Sequence, residues 1–333
     1  MKVSVIIAVY NTQDYLNECL DSLLQQTYTD WEAWCVNDGS TDESLHILHE
    51  YAQRDTRFHV LSHPTNEGAA KSRNHALQHC QGDIISFLDS DDWFSPDALL
   101  EMVAVFKQYP QTDSVLYECQ YVYDDRRESY PMPTFDTLTG KEAFTLSLNW
   151  QIHGVYAART AIQKQYPYDE TAKWYSDDNT TRLHYLASQE VRHCPGVYYY
   201  RQRSSSITHT IHMHHFDMMD ANDSLRAQLH KLKMDDTTLR TYEEVRWRNL
   251  VDCYYYYYMN RSFFPKKQCQ TIIDRIHRFW SEADYVRLPE KLITHLGYIP
   301  CKGHWQLFRL QEEVYFFLRG LFGKNRIKED CMQ

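Results

Sequence analysis

Four short apolar runs in the first hundred residues, each followed by a stretch with helical spacing, constrain this chain more than any other feature. Val3–Val9 is apolar but for Ser4 and closes at Tyr10-Asn11-Thr12. Tyr15, Leu16, Cys19, Leu20, Leu23 and Leu24 then recur at helical intervals, predicting a helix to about Gln26. Trp31–Val36 is a second strand, broken by Asn37-Asp38-Gly39-Ser40-Thr41-Asp42. The next helix has Ser40 or Thr41 as its expected cap and a buried stripe of Leu45, Leu48, His49 and Ala52. Phe58–Leu61 is a third strand, Asn66-Glu67-Gly68 a turn, and Ala69–His79 a third helix. Ile84–Leu88 is the fourth strand, with Ser95 expected to cap a fourth helix and Pro96 at its first position. Strand-helix alternation of this kind implies an α/β fold with a mainly parallel, doubly wound sheet.

Polar residues gather at the carboxyl ends of these strands, where open α/β sheets bind ligands. Ile84–Leu88 ends in Asp89, Ser90, Asp91 and Asp92. Three carboxylates packed together repel unless a cation joins them, and hard oxygen ligands suit Mg²⁺ or Mn²⁺ shared with phosphates. The plainer alternative is an acidic turn before the next helix. Arg73, just after the Asn66–Gly68 turn, offers forked contacts to a phosphate or a surface salt bridge. Asp38 can accept a ring N–H from uracil or thymine, or close an Asx-turn over Gly39-Ser40. Tyr10 at the neighbouring strand end can stack on a pyrimidine.

After Pro110 the rhythm changes. Ser114–Tyr117, Gln120–Tyr123, His153–Ala158 and Val197–Arg201 are expected strands, and Lys141–Leu148 a short helix. Residues 124–139 are charged and contain Pro, which predicts a loop or lid. Asp177–Ala187 is expected to be a helix capped by Ser176. Beyond Ile211 only helical spacing remains, near 213–232, 237–260, 265–281 and 304–323. The 333 residues allow two domains, read as 1–210 (a nucleotide-binding half, 1–110, and an acceptor half, 111–210) and a helical region, 211–333.

A net charge of −10 argues against a nucleic-acid partner. Nine scattered cysteines without a Cys-x-x-Cys pair suit free thiols in a reducing cytosol. The apolar N-terminus is too short for a signal peptide, and no run reaches a membrane span, so the expected location is cytoplasmic.

Taken in order, the motifs resemble the family 2 glycosyltransferases, which have the GT-A fold. The matching stretches are Val3–Asn11, Val36–Asp42, Asn66-Glu67-Gly68 with Ser72-Arg73-Asn74, Phe87–Asp92, Ser176-Asp177-Asp178, and Tyr198–Arg201 leading to Ser206-Ile207-Thr208. They cover about residues 1–210. The family more often has Pro in place of Ala8 and Glu in place of Asp177.

The resemblance implies a metal-dependent, inverting transfer of a sugar from a UDP-sugar to a hydroxyl of a saccharide or lipid-linked acceptor. It belongs to surface polysaccharide synthesis of the bacterial capsule or lipooligosaccharide type, by a hexosyl- or N-acetylhexosaminyltransferase. By that resemblance Asp91 ligates Mn²⁺ or Mg²⁺, and Asp89 faces the ribose or the metal's waters. Asp178 is the general base. Tyr10, Asp38, Arg73, Asp89 and Ser90 bind the nucleotide-sugar. Asp92 is read as a supporting or helix-capping residue.

A nucleotidyltransferase is disfavoured, because Tyr10-Asn11-Thr12-Gln13 holds no glycine to cradle a triphosphate. A non-catalytic nucleotide-sugar- or saccharide-binding partner of another transferase is the alternative from a different class. His209, His212, His214 and His215 lack ligand spacing and read as solvated or packing residues. Tyr254–Tyr258 sits in a helical stretch and reads as helix packing or an acceptor platform. The aromatic, basic stretch Trp305–Phe322 suits peripheral contact with an anionic membrane, or docking on the protein body or a second subunit as a homo-oligomer.

Overall fold

The computed structural model describes residues 1–171, 175–202, 211–293 and 303–322, with only the backbone of Ser176. The chain divides into two compact units, Met1–Ser206 and Ile207–Gln333.

In the first unit the order is β1 (Val3–Val9), α1 (Gln13–Leu24), β2 (Trp31–Asp38), α2 (Ser44–Arg54), β3 (Phe58–His63), α3 (Ala69–Leu77) and β4 (Ile84–Phe87). Then come β5 (Trp93–Phe94), α4 (Ala98–Gln108), β6 (Thr112–Val122), β7 (Arg127–Ser129), β8 (Leu138–Thr139), α5 (Gly140–Leu148) and β9 (Tyr156–Arg159). The unit closes with α6 (Thr160–Gln165), α7 (Ser176–Ala187) and β10 (Glu190–Arg201).

One sheet runs β3-β2-β1-β4-β9-β6-β10-β5, with β7 beside β6 and β8 beside β10. β1 pairs in parallel with both β2 and β4, and β2 with β3. β9 is antiparallel to both β4 and β6, so β6 and its parallel neighbour β10 run the same way as β4. The expected mixed, mainly parallel GT-A sheet is therefore present, and the carboxyl ends of β1, β2 and β4 share a rim.

Alternation along the strands explains why helices cover both faces. Val3, Val5, Ile7 and Val9 join a core with Leu16 and Leu20 of α1 and Met102 of α4. Ile6, between them, points the other way into a core with Ala76 and Leu77 of α3. Each fully buried Leu or Ile contributes about 1.5–3 kcal/mol, so the central strands read as nearly continuous apolar runs.

Several local expectations change. α2 is held by Asp42 and not by Ser40 or Thr41: its carboxylate accepts the N–H of Ser44 and of Gln13, both at 3.0 Å. One acid thus secures the first turns of both α1 and α2. α4 starts at Ala98, not at Pro96, and the Ser95 hydroxyl donates to Asp97 at 2.6 Å instead of capping. The two strands expected at 114–123 are one strand, β6, in which Glu118 is the one exposed residue. The 124–139 segment holds β7 and β8. α7 is preceded by Tyr175 in a left-handed conformation (φ 67°), and Tyr175, not Ser176, occupies the cap position.

The second unit is helical: α8 (Asp217–Lys231), α9 (Asp236–Asn260), α10 (Lys266–Ser281), α11 (Glu290–Ile293) and α12 (Trp305–Leu321). Tyr254 and Tyr257 are buried, and Tyr254 stacks on Phe308 of α12 at 6.1 Å, which is the packing reading of the tyrosine run. His215 is buried and stacks on Tyr256 at 3.7 Å, while His214 bonds Asp217 at 2.9 Å. His209 lies outside the described residues, as do Ser206, Ile207 and Thr208. α12 leaves Leu310, Val314, Phe317, Leu318 and Leu321 exposed along one side. Among the described residues no helix is long and apolar enough to cross a membrane, and the seven described cysteines are all free.

Candidate active site

The acidic end of β4 is held in place by the far end of β10. Asp92 is buried; its carboxylate accepts the Tyr198 hydroxyl at 2.8 Å and the Arg201 N–H at 2.8 Å. The same Tyr198 hydroxyl accepts the Asp89 N–H at 3.1 Å. Arg201 adds a bond from Nε to the Asp91 carbonyl at 2.9 Å. Asp92 is thus a supporting residue that ties two strand ends; it caps no helix. Asp89 and Asp91 are half-buried, whereas Ser90 between them is 5% exposed. The accessible pair is Asp89 and Asp91. Ser90, expected to bind the nucleotide-sugar, offers little side-chain surface to a ligand.

At the β2 end, Asp38 is buried and already accepts three donors. Oδ1 takes the Glu67 N–H and His63 Nδ1, both at 2.9 Å, and Oδ2 takes the Gly68 N–H at 2.8 Å. Its first task is to shape the 66–68 turn. One acceptor position on Oδ2 is left over, on a side chain that is 4% exposed. Asp38 closes no Asx-turn; the loop is held instead by Asn37, whose Oδ1 accepts the Ser40 N–H three residues on, at 3.2 Å. Gly39 has φ +70°, and a Cβ there would lie 2.6 Å from the Thr65 backbone, so only glycine lets the two loops meet. Tyr10 is 47% exposed beside them, free to stack on a planar ring.

Arg73 joins the two acidic regions. It is buried on α3, donates from Nη2 to Asp89 Oδ1 at 2.7 Å, and reaches Asp177 Oδ2 at 3.5 Å. Phe87 and Tyr168 lie 4.9 and 5.3 Å from the guanidinium. The two carboxylates hold its pKa above the ordinary value even though burial opposes the charge. It is therefore neither a surface salt bridge nor an open fork for phosphate: in this structure it is a buried strut between β4 and α7.

Asp178 lies one residue beyond Asp177 in the first turn of α7. Burial pushes its carboxyl up to about 7, opposed by Arg182 and reinforced by Asp177. Below it, Asp169 fastens the start of α7 by accepting Asn179 Nδ2 at 2.9 Å, while its own N–H donates to Thr180 Oγ1 at 3.0 Å. A half-buried carboxyl titrating near neutrality is suited to accept a proton from a hydroxyl.

The donor set at the β4 end fits a divalent cation. Negative potential is concentrated there: Asp92 is raised first by burial and then by Asp91 and Asp89, and the Tyr200 phenol by burial and the same three acids. Among the described residues no three His, Cys, Asp or Glu side chains form a closed cage. Magnesium-type ions usually bind through one or two carboxylates plus substrate phosphates. A half-site of that kind would draw on Asp91 and Asp89.

Residues not foreseen include Tyr198, Arg201, His63, Asp169 and Arg182. Tyr198 and Arg201 lay within a motif whose order was visible but whose partners were more than 100 positions away.

The model described as "Glycosyl transferase family 2" matches residues 4–171, more than half of the chain. The chain belongs to this family. Its relatives include the uncharacterized glycosyltransferase EpsJ of Bacillus subtilis, 29% identical over 218 residues and covering 62% of each chain. The poly(ribitol-phosphate) beta-glucosyltransferase of Bacillus spizizenii is 41% identical over 119 residues, 35% of this chain and 19% of that protein. The chain spans less than two thirds of the length of the first curated relatives it matches. A crystal structure of S. aureus TarS 1–349 in complex with UDP-GlcNAc superposes with a TM-score of 0.72 at 20% identity, over 97% of this chain and 93% of that one. That likeness shows the fold.

Proposed function

We propose that the protein transfers a sugar from a UDP-sugar to a hydroxyl of a saccharide or lipid-linked acceptor, with inversion and with Mn²⁺ or Mg²⁺, in the synthesis of a surface polysaccharide. The observation that carries this reading is the Arg73 bridge: it brings the β4 acids and the start of α7 to one place. The nucleotide goes to the half before residue 110 and the acceptor to the half after it. The family relative that glucosylates poly(ribitol-phosphate) supports a glycopolymer acceptor.

In this mechanism Tyr10 stacks on uracil, and the remaining lone pair of Asp38 accepts its N–H. Asp91, with Asp89, would hold a divalent ion that neutralises charge on the leaving diphosphate. Arg73 keeps Asp89 oriented and offsets the acids around it. Asp178 takes the proton of the acceptor hydroxyl as that oxygen bonds to the anomeric carbon and the bond to the diphosphate breaks. A single displacement turns an α-linked donor into a β-linked product. Because Asp178 must be ionised, the rate rises as pH passes through about 7. Its α12 row of exposed apolar side chains supports a peripheral membrane contact, testable by sedimentation with anionic vesicles.

The test is UDP release from UDP-glucose and UDP-N-acetylglucosamine with Mn²⁺, with and without EDTA, across a panel of saccharide acceptors. Release that needs the cation and rises with an acceptor is expected. Binding of UDP without turnover of any donor would sink the enzymatic reading.

A further inference from the structure

Helix α5 ends in a motif that usually carries glycine, and here it carries tryptophan. The Gln151 N–H donates to Leu146 O at 3.0 Å and the Trp150 N–H to Ser147 O at 3.2 Å. This is the Schellman pattern, whose left-handed position favours Gly because a β-carbon crowds the following carbonyl. Trp150 sits at that position with φ 54°. A bulky residue kept in such a conformation points to a use for its side chain.

The surroundings hold the indole firmly yet leave it open. The Tyr130 hydroxyl donates to the Trp150 carbonyl. Arg182 lies 5.3 Å from the ring centroid, and a Cβ on Gly154 would touch both Thr181 Oγ1 at 3.3 Å and the indole edge at 3.8 Å. Thr181 and Arg182 follow Asp178 by three and four positions on α7, so the indole packs beside the face of the helix that carries that carboxyl. Trp150 is nevertheless 36% exposed.

Behind Tyr130 the aromatic contacts continue. Tyr130 packs on Tyr121 at 5.9 Å, and Tyr121 meets Tyr200 edge-on at 5.7 Å. Tyr200, also 36% exposed, stands next to Arg201, whose N–H holds Asp92. The aromatic series therefore runs from the α7 side, with Asp178, to the acidic β4 end.

We infer that Trp150 is a sugar-stacking platform that positions the acceptor, its indole taking the apolar C–H face of a pyranose ring. This rests on the transferase reading above and adds a residue and a ligand surface to it. An exposed rigid aromatic gives contact area at low conformational cost, and one polar-rimmed sugar face matches it.

Trp150→Gly separates this role from a structural one. Glycine suits the left-handed backbone but gives up the packing of a mostly buried indole, so a thermal melt first confirms that the variant is folded. Methyl β-glucoside, methyl β-galactoside and methyl N-acetyl-β-glucosaminide serve as probes in saturation-transfer NMR. The wild type should show transfer to ring protons of at least one glycoside. Binding should weaken at least about tenfold in Trp150→Gly and recover in part in Trp150→Phe. Equal binding by wild type and Trp150→Gly, or no glycoside bound by the wild type, overturns the platform. UDP affinity of the wild type with Mn²⁺, read by calorimetry, is judged separately: its absence would sink the transferase reading instead.

Discussion

Two acidic clusters sit at opposite ends of the Arg73 bridge, built from the same residue type in different surroundings. At the β4 end, Asp89 has a guanidinium at 2.7 Å and keeps 35% side-chain exposure. At α7, Asp178 lies in a poorly hydrated spot whose nearest cation, Arg182, only moderates the cost of charging, so it titrates near 7. In the proposed mechanism the first arrangement holds a cation and the second exchanges a proton, a division made by surroundings and not by residue type.

The most severe way to break this contrast is Asp178→Asn. We expect kcat to fall about 10²–10⁴-fold while calorimetric UDP affinity stays near that of the wild type. A variant with wild-type turnover would show that the base lies elsewhere. Stability gives an independent reading. Because the folded carboxyl titrates near 7 rather than at the ordinary 3.8, the native state loses stability as pH rises between those values. Asp178→Asn should therefore melt higher than the wild type at pH 8, and the gain should vanish near pH 4.

Asp91→Ala attacks the other cluster. UDP affinity with Mn²⁺ should drop about tenfold or more, roughly 1.4 kcal/mol, and EDTA should no longer change it. An EDTA-sensitive affinity that survives the substitution would move the cation site away from Asp91.

Arg73→Ala removes the strut between the clusters. Stranding a charge after removing a buried partner costs about 3–5 kcal/mol. Asp89 and Asp177 keep 35% and 52% of their side-chain surface, so roughly 2 kcal/mol is the better expectation here. Denaturant melts measure it, and a change below a few tenths would mean the bridge is incidental. The mildest change is Asp177→Asn. Losing a like charge should lower the Asp178 pKa and move the acid limb of the rate profile to lower pH. A shift upward would show that Asp177 acts chiefly through Arg73.

The parallel core was legible because its strands are long apolar runs and its turns carry polar residues. β5 was not, since two residues, Trp93 and Phe94, give no periodicity. α7 was found by its spacing, but its cap was misread: Ser176 is good cap chemistry, yet the chain enters through left-handed Tyr175. Among site residues, Asp89, Asp91 and Asp178 announced themselves as carboxylates at strand or helix ends. The task of Arg73 could not be read, because its partners lie 16 and 104 positions away. Likewise, nothing local to Asp38 revealed that three donors already surround it.

The knot at Asp92 has a consequence for biosynthesis. Its donors, Tyr198 and Arg201, leave the ribosome 106 and 109 residues after it. A nascent chain that has emerged only to residue 171, where the family match ends, already carries the acids yet lacks the clamp that aligns them. Competence to bind the donor should thus appear late in translation and abruptly, as the last strand of the sheet slides in.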